Sequence, residues 1–334
     1  MQRAIPRAKV AEAISLLSKS YQVVAAVPKG KSFVFAAISE PTLVTLDYPT
    51  TILPLKKFFL PPSDVVFHFD RKSHAINLPT AQPNVTTSKP RLFFGIHNYE
   101  LQGLLRLDHA FSSGVLDETW VERRKNSIFV GVTYEPDAAH FADSVGVPTR
   151  MKDSFDVFLT RFEDHYRVEA LTDKGKDVVA AIKDTLVDCD CPGDPVVHFK
   201  NKLKQSVTGI REIFHGAYNH PAWKEAARKC HSCGTCNICC PTCYCFDVDD
   251  EVVLGTDAGS RIRQWDSCQF LDFTKVAGGE AFRDKRHDRV RHRMSRKFAY
   301  ITDEKGQPFC VGCGRCVRQC TAQINIVEVM NALL

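Results

Sequence analysis

Two runs of cysteines constrain this chain more than any other feature. Both runs have the spacing Cys-x2-Cys-x2-Cys-x3-Cys, and a proline follows the first. The runs are Cys230, Cys233, Cys236, Cys240 and Cys310, Cys313, Cys316, Cys320. Three thiolates spaced two residues apart can hold three corners of a 4Fe-4S cube from one tight loop, and the fourth ligand comes from elsewhere. The spacing therefore predicts two 4Fe-4S clusters.

The two runs are expected to exchange their last cysteines. In two-cluster ferredoxins the fourth cysteine of each run binds the other cluster. The expected ligands of cluster 1 are Cys230, Cys233, Cys236 and Cys320. The expected ligands of cluster 2 are Cys310, Cys313, Cys316 and Cys240. Such an exchange would join two segments that are far apart in the sequence.

Other uses of cysteine explain the pattern less well. A structural zinc site is closed by four ligands and gains nothing from a third cysteine at the same spacing in each run. Disulfides are not expected, because the 14 cysteines of the 334-residue chain follow a charged N-terminal segment, MQRAIPRAKVAEAISLL, with no apolar signal core. The longest apolar runs are strand-sized, so no membrane association is expected. We therefore expect a cytoplasmic protein.

The distribution of cysteine predicts the domain boundary. All 14 cysteines lie between Cys189 and Cys320, and the composition, 44% hydrophobic and 25% charged, is typical of a globular protein. We predict an α+β protein, with an α/β domain at residues 1–188 and a mostly helical, bacterial-ferredoxin-like dicluster domain at residues 189–334. Residues 241–309 would form a long insert between the two cysteine runs.

Hydrophobic patterns predict several elements. Residues 91–96, 99–111 and 128–133 have the pattern of strand, amphipathic helix and strand, which is typical of a parallel βαβ unit. Residues 155–161 and 165–170 are predicted to form a hairpin, and residues 196–214 have apolar residues at helical spacing. Proline-rich pieces at residues 49–54, 61–62 and 79–90 are predicted to be surface connections.

Longer segments around the cysteines resemble a known family. They are CHSCGTCNICCPTCYCFDVDD, RQWDSCQFLDFTKVAGGEAFRDKRHDRVRHRMSRKF and CVGCGRCVRQC, with LPLKKFFLPPSDVVFHF and LFFGIHNYELQGLLRLDHAF upstream. The chain is similar to the 4Fe-4S dicluster family that contains beta subunits of sulfhydrogenase-type NiFe hydrogenases and the A-type subunit of anaerobic sulfite reductase. The resemblance implies an electron relay between a flavin subunit that uses a nicotinamide and a terminal catalytic subunit.

The chain departs from the family pattern at two places. It has His97, Asn98, Tyr99 and Glu100 where many relatives have Arg-Pro-Cys-Asp, and His140, Phe141 and Ala142 where they have a Cys-Phe-Cys element. An N-terminal cofactor held by those cysteines is therefore not expected. A different site at His97 and His140 is the alternative, but two histidines without further ligands make a weak metal signature, and we interpret both as packing residues.

The remaining cysteines allow two interpretations. Cys243, Cys245 and Cys268 either bind a third iron-sulfur centre, completed by an aspartate, a histidine or a partner residue, or pack as small buried hydrophobic side chains. Cys239 is interpreted as a passive neighbour of Cys240. Cys189 and Cys191 are predicted to be a surface thiol pair.

A dense basic segment lies between the two runs, at residues 283–297. It lacks a recognised nucleic-acid motif, so we do not expect a nucleic-acid partner. Its arginines are expected to lie near anionic clusters or to bind an acidic partner surface.

No catalytic triad, acid-base pair or dinucleotide-binding motif is evident in the sequence. The pattern favours an electron-transfer subunit of a cytoplasmic redox complex that links a NAD(P)H-dependent flavin subunit to a hydrogenase or a sulfite or sulfur reductase. Three alternatives remain open. The first is a relay in another flavin-linked assembly such as a heterodisulfide-reductase-type complex, and the second is a self-contained flavin and iron-sulfur oxidoreductase. The third is an iron-sulfur protein that binds nucleic acid or has a regulatory role.

Overall fold

The computed structural model describes residues 2–79, 89–151, 154–191 and 193–334, without the side chains of residues 303–305. The strands in these ranges are β1 (Gln2–Pro6), β2 (Gln22–Lys29), β3 (Ser32–Ala37), β4 (Ser63–Asp70), β5 (Ala75–Asn77), β6 (Arg91–Ile96), β7 (Ser127–Val132), β8 (Val157–Arg161), β9 (His165–Ala170), β10 (Val187–Cys189), β11 (Phe246–Val252) and β12 (Ala258–Trp265). The helices are α1 (Val10–Ser20), α2 (Asn98–Ser112), α3 (Glu118–Lys125), α4 (Asp173–Ala181), α5 (Val207–Gly216), α6 (Ala222–Lys229), α7 (Thr235–Ile238), α8 (Arg286–Phe298), α9 (Tyr300–Lys305), α10 (Arg315–Arg318) and α11 (Ile326–Asn331).

An eight-stranded mixed sheet forms the N-terminal half. Its strand order is β10-β1-β9-β8-β7-β6-β2-β3. The central strands β2, β6, β7 and β8 are parallel to their neighbours in that group, and the outer pairs are antiparallel. The predicted βαβ unit is confirmed, because α2 and α3 connect β6 to its parallel neighbour β7. The predicted hairpin is confirmed by the pairing of β8 with β9.

Helices cover both faces of this sheet. On one face α1 buries Val10, Ile14 and Leu17, which are spaced at i, i+4 and i+7 and therefore lie on one side of the helix. On the other face α2 and α3 bury aromatic side chains, including Trp120, against Phe93 and Phe129 of the sheet. This arrangement confirms an α/β architecture in the N-terminal half.

A second, four-stranded sheet combines segments from both halves of the sequence. Its order is β11-β12-β4-β5, and all of its pairs are antiparallel. The hairpin β11–β12 comes from the insert at residues 241–309, whereas β4 and β5 precede residue 80. The insert therefore returns to the N-terminal half and pairs with it, and the domain division at residues 188 and 189 stays a prediction.

The C-terminal part is mostly helical, as predicted. Helices α5, α6, α8 and α11 surround a third hydrophobic core that contains Trp223, Met294 and Phe298. The second cysteine loop packs against this core, because Cys310 and Cys313 are buried in it. The α+β class and the ferredoxin-like helical part are thus confirmed. None of the described helices is both long enough and apolar enough to cross a membrane.

The predicted helix at residues 196–214 is wrong in its first half. Helix α5 begins at Val207, where the Ser206 side chain caps it by accepting a hydrogen bond from the Gly209 N–H. Upstream of the cap the backbone is irregular, yet Phe199 and Leu203 are still buried in the C-terminal core. Their apolar spacing therefore reflects burial and not helical geometry.

The proline-rich segment at residues 49–54 is not a surface connection. Pro54 is buried, and Thr51 accepts hydrogen bonds from the buried Arg315 of the second cysteine run. Pro61 is buried as well. These prolines lie at the contact between the two parts of the chain. The prediction for residues 79–90 falls mostly on residues 80–88, which lie outside the described residues.

Candidate iron-sulfur centres

Three neighbouring cavities collect the cysteines singled out in the sequence. Cavity A is lined by Cys230, Cys233, Cys236 and Cys320, and also by Cys316. Cavity B is lined by Cys240, Cys310, Cys313 and Cys316. Cavity C is lined by Cys243, Cys245 and Cys268, and it is the largest of the three, at about 300 Å³. Each run thus places its last cysteine beside the first three of the other run, and the ligand assignment itself stays a prediction.

Cavity A lies near the surface. Its loop turns at Gly234, whose φ of +74° favours glycine, and a Cβ there would be 2.5 Å from the Phe270 ring. The Ser232 N–H donates to Cys230 Sγ at 3.3 Å, and the Ile324 N–H donates to Cys320 Sγ at 3.3 Å. Cys233 is exposed. These N–H groups would donate to the sulfurs that hold a cluster, and the exposed edge leaves one side of the cavity open to solvent.

Cavity B is buried against the N-terminal half. The Gly312 N–H donates to Cys310 Sγ at 3.4 Å, and the Gly312 carbonyl accepts from the Phe141 N–H at 3.0 Å. Burial raises the pKa of Cys310 and that of Cys313 to about 12. Thiols in this environment become thiolates only when a metal or a cation compensates the charge. The Cys310 and Cys313 sulfurs therefore suit a bound metal cluster better than free thiolates.

Helix α8 supplies positive charge to the cavities. Arg289, Arg293 and Lys297 are spaced four residues apart, and all three are buried on the inner side of the helix. Arg293 lines all three cavities. Its Nε donates to Asn237 Oδ1 at 2.9 Å and its Nη2 donates to the Cys236 carbonyl at 2.9 Å. Part of the basic segment thus faces the cysteine cavities and not solvent.

Two buried lysines lie beside cavities B and C. Lys297 Nζ donates to Thr242 Oγ1 at 2.7 Å, and Lys56 Nζ donates to the Cys243 carbonyl at 2.6 Å. Lys56, Arg293 and Lys297 are each 3–4% exposed. Within the described residues these three cations donate to neutral groups, and no ion pair joins any of them to a carboxylate. Burial opposes the charge of Lys297, but the neighbouring sulfurs of Cys240 and Cys243 raise its pKa.

The three buried cations show whether anionic clusters fit the site, because none of them has a carboxylate partner among the described residues. A buried charge without a counter-charge costs several kcal/mol. A cluster held by cysteine thiolates is an anionic group that would provide this counter-charge at each cavity. The cysteine sulfurs and the cations therefore form one complementary set.

The separation of the sulfurs also bears on the kind of metal. Four thiolates on one zinc ion lie about 3.8 Å apart, since each Zn–S bond is about 2.3 Å in a tetrahedral site. Among the described residues the group of three ligand atoms within 4.8 Å of one another is His165, Cys189 and Cys191, outside the three cavities. In the described part of the chain, no three cysteine sulfurs of the cavities lie within 4.8 Å of one another, so the arrangement does not match a single zinc ion.

Cys189 and Cys191 are joined by a disulfide, so the predicted thiol pair is wrong. Their Cα atoms lie 5.4 Å apart, within the range that a disulfide spans. Strand β10 ends at Cys189 on the edge of the large sheet, and Cys191 follows two residues later. His165 Nε2 lies 3.3 Å from Cys191 Sγ.

His97 and His140 are fully buried in an aromatic core, in agreement with the packing interpretation. The His97 ring stacks between Tyr48 and Tyr134, with centroids at 4.1 and 4.6 Å. Burial lowers the pKa of His97 well below its usual value. His140 Nδ1 accepts from the Asp137 N–H at 3.1 Å. Both imidazoles thus fill the part of the core next to the second cysteine run.

Sequence reasoning missed three polar residues of the site. Asn237 lies between two cavities, where its Nδ2 donates to Cys268 Sγ and to Ser267 Oγ, both at 2.9 Å. Glu100 is buried in an ion pair with Arg315. Lys56 is the third, and its position inside the apolar stretch LPLKKFF was a signal of burial. Asn237 and Glu100 had no comparable local signal.

Comparisons with known proteins agree with this geometry. The family model of the 4Fe-4S dicluster domain matches residues 229–324. Sulfhydrogenase 2 subunit beta of Pyrococcus furiosus is 33% identical over an alignment of 329 residues, which covers 96% of this chain and 94% of that protein. No solved structure matches the chain. The chain therefore belongs to the 4Fe-4S dicluster family of the sulfhydrogenase beta subunits.

Proposed function

We propose that this protein is the iron-sulfur electron-transfer subunit of a multi-subunit redox complex. The proposal assigns cluster 1 to Cys230, Cys233, Cys236 and Cys320, and cluster 2 to Cys310, Cys313, Cys316 and Cys240. The observation that carries it is the pairing of each set of four cysteines around one cavity, with Cys316 lining both cavities. Two centres in cavities that share a lining residue are close enough to exchange electrons.

The chain's own residues set the conditions for electron transfer. The clusters, when bound, accept and release single electrons. Backbone N–H groups of Ser232, Gly312 and Ile324 donate to ligand sulfurs, which stabilises the more negative state. Arg293 adds a buried positive charge between the cavities. The deep burial of cavity B excludes water from that centre.

The surface near cavity A supports contact with a partner protein. Cys233 is exposed there, so a donor or an acceptor can approach without a change in the fold. The relative is named as a beta subunit of a sulfhydrogenase. By likeness, we infer one partner that carries flavin and uses NAD(P)H and a second that is a hydrogenase or sulfur-reductase catalytic subunit, in the cytoplasm.

Anaerobic purification from the native host tests this function. We expect partner subunits to co-purify, and the chain to contain at least about eight iron atoms and as many acid-labile sulfides, four for each cube. A hydrogenase partner and a sirohaem partner would indicate different terminal reactions. An isolated chain that binds flavin and oxidises NAD(P)H alone would contradict the relay and favour a self-contained oxidoreductase. Absence of acid-labile sulfide would contradict any iron-sulfur role.

A further inference from the structure

We infer that cavity C is a third iron-sulfur site, with Cys243, Cys245 and Cys268 as thiolate ligands and His292 as the fourth ligand. The inference deepens the proposed function, on which it rests, because it extends the relay beyond clusters 1 and 2. It assigns a role to cysteines outside the two motifs.

The three cysteines face a common space although they come from different segments. Cys243 and Cys245 follow the first run, and Cys268 lies beyond the hairpin β11–β12. That hairpin brings Cys268 back, because the Asp266 N–H donates to the Cys245 carbonyl at 3.0 Å. Cysteines that served only as hydrophobic packing would be expected in a close-packed core. Here they line a cavity of about 300 Å³.

The charges around cavity C call for an anion. Arg293 and Lys297 line it, and Lys56 donates to the carbonyl of its ligand residue Cys243 at 2.6 Å. Among the described residues, these buried cations bond to neutral oxygens, sulfur and an aromatic ring. Clusters 1 and 2 would lie near Arg293 and Lys297. Lys56 lines none of the three cavities, but its Nζ contacts the edge of cavity C at the Cys243 carbonyl, so an anion in cavity C would add counter-charge for all three cations.

His292 is the fourth side chain lining cavity C that carries a common metal-binding atom. It lines cavity C one residue before Arg293 on α8. Its ring lies 6.0 Å from the Tyr300 ring, and in the described part of the chain neither ring nitrogen makes a hydrogen bond. A nitrogen ligand in place of a thiolate raises the reduction potential of a cluster, as it does in Rieske centres. The third centre would therefore be easier to reduce than a centre with four cysteines in the same place.

Iron content separates this inference from the proposed function. The wild-type complex, purified anaerobically, is expected to hold about 12 iron atoms in this subunit, from three cubes of four. Cys268→Ser and Cys245→Ser should each hold about 8 and keep the two other reduced-cluster signals in electron paramagnetic resonance. Cys239→Ser is the matched control, because Cys239 is a buried thiol of the same loop that lines none of the three cavities. It should keep about 12.

A wild-type value of about 8 that Cys268→Ser leaves unchanged would overturn the third site but leave the relay intact. No iron at all would overturn both. The role of His292 is tested by His292→Cys, which should keep about 12 iron atoms and lower the midpoint potential of one centre. An unchanged set of three potentials would show that His292 is not a ligand.

Discussion

Glu100 and Arg315 form an ion pair in which both side chains are fully buried. Arg315 lies between Cys313 and Cys316, and its Nε donates to the Thr51 carbonyl at 2.8 Å. The other carboxylate oxygen of Glu100 accepts from the Leu55 N–H at 2.9 Å. Helix α2 and the proline-rich segment thus fix the loop that carries three expected ligands of cluster 2.

Glu100→Gln should destabilise the protein by about 3–5 kcal/mol, because it leaves the buried Arg315 guanidinium without a counter-charge. Chemical unfolding under anaerobic conditions measures this change. Glu122→Gln is the control, since Glu122 pairs with Lys125 at the surface and should change stability little. Equal effects of the two substitutions would contradict the importance of the buried pair.

Arg293→Met should lower the midpoint potentials of the clusters, because a buried positive charge favours the reduced state. A unit charge about 8 Å from a centre contributes about 2 kcal/mol at an effective dielectric constant near 20, or about 90 mV for one electron. Redox titration followed by electron paramagnetic resonance measures the shift. Arg286→Met, on the exposed side of the same helix, should leave the potentials unchanged. A similar shift in both variants would contradict a local effect of Arg293.

Cys320→Ser should remove cluster 1 and leave cluster 2, although Cys320 belongs to the second run. The reason is that Cys320 lines cavity A with Cys230, Cys233 and Cys236. Iron content should fall by about four atoms per chain. Cys240→Ser is the reciprocal variant and should remove the other centre. If each substitution instead removed the centre of its own run, the exchange of ligands would be wrong.

Gly103→Ala should destabilise the protein, although alanine normally stabilises a helix relative to glycine by up to about 1 kcal/mol. A Cβ at Gly103 would lie 2.8 Å from Pro241 Cβ, so α2 and the first cysteine run would have to separate. Overpacking of this kind costs about 1–3 kcal/mol. Gly216→Ala in α5 is the control, because its Cβ would meet nothing within 4 Å. Thermal unfolding of both variants should show shifts of opposite sign, and a stabilised Gly103→Ala would refute the contact.

The stability should fall in mild acid because of His97. Burial holds its pKa in the folded protein below the value of about 6.5 in the unfolded chain, so the unfolded chain binds more protons. The contribution of neutral His97 to the free energy of unfolding is complete above pH 6.5 and is lost as the pH falls. At about pH 5.5 this loss should lower the free energy of unfolding by about 1.4 kcal/mol.

The free energy of unfolding at about pH 7.5 and about pH 5.5 measures this effect. His97→Gln, which cannot take up the proton, should lose less stability between the two values than the wild type. His198→Gln is the control, because His198 is exposed. If His97→Gln and the wild type lost the same stability, His97 would not be the group responsible.

Local patterns predicted much of the fold. The βαβ unit of β6, α2 and β7 follows from residues within one short stretch, because strand and helix periods are local properties. The same reasoning failed for residues 196–206, where apolar spacing reflects burial on an irregular backbone. It also failed for residues 49–54, since prolines mark turns but do not indicate which turns are covered by another part of the chain.

The sequence alone determined the spacing of the cysteines, and this spacing predicts the donor set, because a cubane is held by thiolates at short, fixed separations along the chain. Only the tertiary structure decided what surrounds the donors. The inward side of α8 at Arg293, the burial of Lys56 beside Cys243 and the pairing of Glu100 with Arg315 join residues from distant segments. Such contacts depend on how the sheet, the insert hairpin and the helices pack, and long-range packing leaves no local pattern in a single sequence.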